Sequence, residues 1–155
     1  MSENPGPEDH TDGTRAGFVA LIGAPNAGKS TLLNQLVGTK VSIVSHKVQT
    51  TRTVVRGIVM REQSQIIFAD TPGIFQPRRR LDRAMVDAAW GGAKDADIVC
   101  LLIDAERGIR GDAERILENL RSVKLPKILL LNKIDRVPVE SLLALAKQAN
   151  EVVPF

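Results

Sequence analysis

Eight consecutive residues constrain this chain more than any others: Gly23-Ala24-Pro25-Asn26-Ala27-Gly28-Lys29-Ser30. They match the pattern G-x-x-x-x-G-K-[ST] at every fixed position. The apolar run Phe18–Ile22 precedes them and reads as a buried strand. Lys29–Val37 follows, with Leu32, Leu33, Leu36 and Val37 on one helical face and Gly38 as the stop. Glycines let successive backbone N–H groups curl around an anion with no Cβ in the way. A helix beginning near Gly28 adds the positive end of its dipole. The segment therefore reads as a phosphate cradle. Lys29 is expected to reach the β- and γ-phosphates and the Ser30 hydroxyl to ligate Mg²⁺, with Thr31 counted in the same site.

The rest of the chain supports one α/β domain, the size that 155 residues suit. Residues 1–15 carry Pro5, Pro7, Glu3, Glu8, Asp9 and Asp12 with no aliphatic residue after Met1, so a disordered acidic tail is expected there. Val54–Arg61 and Gln65–Asp70 are β-branched-rich runs joined by a short hairpin-like connection. Leu81–Lys94 reads as helix. Ile98–Asp104 is a continuous apolar run, the mark of a strand covered on both faces. Ala113, Ile116, Leu117 and Leu120 fall at helical spacing, Lys127–Leu131 is a further buried strand, and a helix enters past Pro138. The alternation predicts a Rossmann-like P-loop NTPase: a mostly parallel sheet with helices on both faces and an antiparallel pair after the first helix.

Composition narrows the setting. A net charge of +3 is too mild to argue for a nucleic-acid partner by itself. The single cysteine, Cys100, lies inside an apolar run and excludes a disulfide framework, which suits a reducing cytosol. No apolar run approaches the ~20 residues of a membrane span, and the N-terminus lacks the apolar stretch of a secretory signal.

Two further motifs name the ligand. Asp70-Thr71-Pro72-Gly73 closes a strand expected beside the phosphate loop, so Asp70 can hold the Mg²⁺ shell and the Gly73 N–H can contact a γ-phosphate. Asn132-Lys133-Ile134-Asp135 follows another strand. A carboxylate at Asp135 can accept hydrogen bonds from the N1–H and amino group of guanine, a donor pair that adenine lacks. Three such motifs in this order predict GTP and GDP as ligands.

These residues resemble the Era family of bacterial ribosome-assembly GTPases. The likeness runs from Gly17 to the C-terminus and is most specific at Gly23–Leu33, Lys40–Arg56 and Asp70–Phe75. It implies that Val48–Arg52 is a switch, with Thr51, or alternatively Thr50, ligating Mg²⁺. It implies partners too: 16S rRNA and the small ribosomal subunit, reached through a KH domain, with peripheral association to the inner membrane in some bacteria. The expected state is a cytoplasmic monomer. Neither the KH domain nor the last guanine-binding loop is found, and Glu151–Phe155 is the candidate start of the missing strand. Residues 16–155 thus resemble a truncated G domain. The competing readings are a nucleotide-binding module without turnover and a related tRNA-modification or ribosome-assembly GTPase.

Many GTPases orient the attacking water with a glutamine after D-x-x-G, and Ile74 stands there instead. By resemblance, Asn26 is a candidate to hold K⁺ against the phosphates and act with Lys29 and Thr51. The alternative is that Asn26 only tolerates a tight turn. Arg78-Arg79-Arg80 with Arg83 forms a basic cluster, read either as a solvated helix entry or as a contact for RNA phosphate.

Overall fold

A computed structural model describes Gly13 and residues 15–37, 54–70 and 96–155. The expected helix Leu81–Lys94, the switch residues Thr50 and Thr51, Thr71–Ile74 and the arginine cluster lie outside the described residues.

Five strands form one sheet in the order β2-β3-β1-β4-β5. They are β1 (Arg15–Gly23), β2 (Val54–Arg61), β3 (Ser64–Asp70), β4 (Ile98–Asp104) and β5 (Lys127–Asn132). All pairings are parallel except β2 with β3, the expected antiparallel pair, which a turn at Glu62 and Gln63 joins. β1 begins at Arg15, so the strand claims a residue assigned to the tail. Arg15 and Ala16 are exposed and polar or small, and pairing with Ser64 and Gln65, not burial, extends them.

The period-2 alternation of β1 and β4 divides the core into two. On one face Ala20, Ile22, Val99, Leu101 and Ile103 pack against Ile116, Leu117 and Leu120 and against Ala149 and Val153. The first group belongs to α2 (Asp112–Asn119) and the 3₁₀ turn Leu120–Ser122, the second to α3 (Val139–Val152) and its C-cap. On the other face Leu21, Cys100 and Leu102 meet Ala27 and Leu33, the latter on α1 (Lys29–Val37). Burying one such aliphatic side chain contributes about 1.5–3 kcal/mol. Cys100 behaves as a small hydrophobe, and burial pushes its thiol pKa up, away from reactivity.

The C-terminal residues depart from expectation. Glu151 and Val152 complete α3 and do not begin a strand. Ala149 is buried and Val152 half-buried against the core, and the Phe155 N–H then donates to Asn150 Oδ1 at 2.8 Å. No helix among the described residues is long and apolar enough to cross a membrane.

Leu101 is 1% exposed and Leu143 is 69% exposed. Leu101→Ala should therefore cost about 2–5 kcal/mol in urea unfolding, whereas Leu143→Ala should stay within about 0.5 kcal/mol.

Candidate guanine-nucleotide site

A parallel sheet carries its strand ends to one edge. β1 ends at Gly23, β3 at Asp70, β4 at Asp104 and β5 at Asn132. Leu21 is the register partner of Asp70, and Asp104 that of Asn132.

The phosphate loop leaves β1 and turns into α1 through two left-handed residues, Asn26 at φ 64° and Gly28 at φ 100°. Asparagine tolerates that region better than most side chains. Gly28 is required for a second reason that its φ does not reveal. A Cβ there would collide with the Asn132 amide nitrogen. At Gly23 a Cβ would lie 2.8 Å from the Leu102 carbonyl oxygen of β4, so the loop can leave the sheet only past a bare backbone. Lys29 Nζ donates to the Gly23 carbonyl at 3.2 Å. Ser30 and Thr31 are on the first turn of α1, Ser30 and Thr31 both exposed, with Ala24 half-buried and Pro25 exposed on the loop.

The base-reading loop is tied to this cradle. Asn132 Nδ2 donates to the Ala27 carbonyl at 2.9 Å. Lys133 Nζ donates to the Asn26 carbonyl at 3.0 Å and to Asp104 Oδ2 at 2.7 Å. Lys133 itself is left-handed, at φ 58°. The chain then makes a 3₁₀ turn, Ile134–Arg136, on which Asp135 is exposed. Asp135 accepts no hydrogen bond from any described residue, so its carboxylate is open to a donor pair from outside.

Asp104, which the sequence shows only as the end of an apolar run, is the one buried charged residue among those described. Its Oδ1 accepts the N–H groups of Glu106 at 3.0 Å and Arg107 at 3.3 Å. Burial pushes its carboxyl pKa up. The Lys133 hydrogen bond, the two N–H donors and the lysine charge outweigh this and hold it below the ordinary carboxylate range. The stability it supplies is thus complete above the unfolded value of about 3.9 and fades only as pH falls below that. The available signal was position. An acid at the end of a parallel strand beside the phosphate loop is the same feature that singled out Asp70. A cavity of about 290 Å³ opens between Pro25, Asn26, Asp104 and Arg107.

The side chain of Asp70 lies outside the described residues, though its backbone closes β3 as expected. The structure therefore brings the Gly23–Ser30 loop together with the Asn132-Lys133-Ile134-Asp135 segment.

Gly28→Ala should cost more than about 1 kcal/mol in thermal unfolding, because it combines a disfavoured φ with a collision at Asn132. Asn132→Gly introduced into Gly28→Ala should recover part of that loss, and strict additivity would contradict the contact.

The family model described as 50S ribosome-binding GTPase matches residues 18–133. GTPase Era of Mesorhizobium japonicum is 72% identical over 145 residues, 94% of this chain and 47% of that protein. GTPase Era of Sinorhizobium medicae is 71% identical over 142 residues, 92% and 46% respectively. The chain thus spans about half the length of the relatives it matches. Era crystallised with MgGDPNP and nucleotides 1506–1542 of 16S ribosomal RNA superposes with a TM-score of 0.74 at 42% identity, covering 91% of this chain and 48% of that one. A variant of Era from Aquifex aeolicus bound to GDP·AlF4⁻ gives 0.69 at 40% identity, covering 90% and 48%. With its motifs, its fold and these likenesses in agreement, the chain belongs to the family of 50S ribosome-binding GTPases and, within it, to the Era group.

Proposed function

We propose that this chain binds GTP and GDP with Mg²⁺, hydrolyses GTP to GDP and phosphate, and so forms the switch of a protein acting in small-subunit ribosome assembly. The observation that supports this most is the pair of hydrogen bonds from Asn132 and Lys133 to the Ala27 and Asn26 carbonyls. They tie the segment that carries Asp135, a carboxylate suited to guanine, to a loop whose backbone suits phosphates.

In this reading residues 23–31 enclose the phosphates through backbone N–H groups, and Lys29 neutralises charge on them. Ser30, Asp70 and Thr51, or Thr50 in its place, would hold Mg²⁺, and a set of hydroxyl and carboxylate oxygens is the kind that ion takes. When bound, the ion draws off negative charge that develops on the phosphate oxygens. Thr71, Pro72 and Gly73 report the γ-phosphate, and Asn132, Lys133 and Asp135 hold and read the base.

The Era structure that contains MgGDPNP and 16S ribosomal RNA supports the ribosomal setting. The work would lie in the cytoplasm, with any membrane association peripheral, and the expected state is a monomer.

Turnover needs a group to replace the glutamine missing at Ile74. We assign that part to Asn26, exposed on the loop, which would hold a K⁺ ion whose charge offsets that developing on the phosphates. GTP hydrolysis should then be slow in NaCl and rise several-fold in KCl, and Asn26→Ala should abolish the rise. Equal rates in both salts, or an unchanged potassium response in Asn26→Ala, would remove K⁺ from the scheme and leave the nucleotide reading intact.

A further inference from the structure

The two carboxylate oxygens of Asp104 have separate duties. Oδ1 accepts the Glu106 and Arg107 N–H groups and closes the turn after β4. Oδ2 faces Lys133 Nζ at 2.7 Å, while the Arg107 Nε stands farther off at 3.9 Å. The same lysine nitrogen donates to the Asn26 carbonyl at 3.0 Å. One ammonium therefore bridges a buried strand end and the outer turn of the phosphate loop. The backbone reinforces the bridge, since the Ala105 N–H donates to the Asn132 carbonyl at 2.9 Å. Farther out, Arg136 Nη1 pairs with Glu106 Oε2 at 3.0 Å, although both side chains are exposed and the pair adds little.

Lys133 adopts a left-handed backbone that L residues rarely take, and Asn26 does the same across the bridge. Each needs an outside tether to persist in one arrangement. The Lys133 side chain has two such tethers, the Asn26 carbonyl and Asp104, and only Asp104 carries charge. With the lysine directed by Asp104, the Asn26 carbonyl is engaged by the ammonium and the outer turn of the loop is held in one orientation.

Resting on the reading of this edge as a guanine-nucleotide site, we propose that Asp104 is a positioning residue for nucleotide binding, acting through the Lys133 ammonium to hold the phosphate loop and the base-reading loop at one spacing. It touches neither phosphate nor base. Its influence on the ligand passes through Lys133 and the Asn26 carbonyl.

Asparagine separates the two duties of Asp104. In Asp104→Asn the side-chain carbonyl can still accept the Glu106 and Arg107 N–H groups, but the amide presents donors to the ammonium. Asp104→Ala removes both. The probe is GDP labelled with a fluorescent ribose group, titrated with Mg²⁺ into the whole 155-residue chain. Asp104→Asn should raise the Kd about ten- to hundredfold, the range of one hydrogen bond to a charged group. Asp104→Ala should raise it at least as far. In a chain already carrying Lys133→Met, Asp104→Asn should change the Kd less than about threefold, because the group it acts through is gone. A purely local turn-closing role predicts instead a silent Asp104→Asn with an impaired Asp104→Ala, and that result overturns the proposal. Equal losses with and without the Lys133→Met substitution overturn it as well, by showing another route. A wild-type chain that fails to bind the labelled GDP is distinct from these, and removes the site reading along with the proposal.

Discussion

Two side chains from one loop hold the backbone of another that is more than a hundred residues earlier in sequence. Asn132 and Lys133 donate to the carbonyls of Ala27 and Asn26, and most of the site follows from those bonds. They explain why Gly28 has no side chain, why Asn26 and Lys133 adopt left-handed backbone, and why a carboxylate is buried at the end of β4. A parallel sheet makes the meeting possible. β1, β4 and β5 are neighbours running the same way, so their exits share one edge.

The energetics suit a binding site better than a rigid core. Asp104 is buried and Lys133 is 29% exposed in its side chain, so the pair is only partly desolvated. Breaking a buried pair by removing one partner is costly, while the intact pair adds little to overall stability. Its contribution is to geometry: it determines where a loop sits. The two hydrophobic halves supply the stability on which that geometry rests, with Ile116, Leu117 and Leu120 on one face of the sheet and Leu33 on the other.

Much of this was legible because the signals were local. Apolar runs marked β4 and β5, glycine spacing marked the phosphate loop, and Pro138 marked the entry to α3. What was not legible depended on partners distant in sequence. Arg15 and Ala16 became strand only because Ser64 and Gln65 pair with them. Asp104 looked like the end of a hydrophobic run, because its partner lies 29 residues on. Glu151–Phe155 reads as the start of a strand, yet buried Ala149 and half-buried Val152 carry the helix through Glu151 and Val152. The three motifs point to a guanine nucleotide, but only the fold shows that the loops after β1 and β5 are fastened together.

In the proposed function this edge selects guanine nucleotide through Asp135. Calorimetric titration of the chain with GDP and with ADP, in Mg²⁺, tests it most directly. GDP should bind, and ADP should bind more weakly by about 10⁴-fold, because adenine leaves the Asp135 carboxylate without donors. Asp135→Asn should erase most of that difference. Comparable affinities for GDP and ADP, or a preference unchanged in Asp135→Asn, would contradict the account.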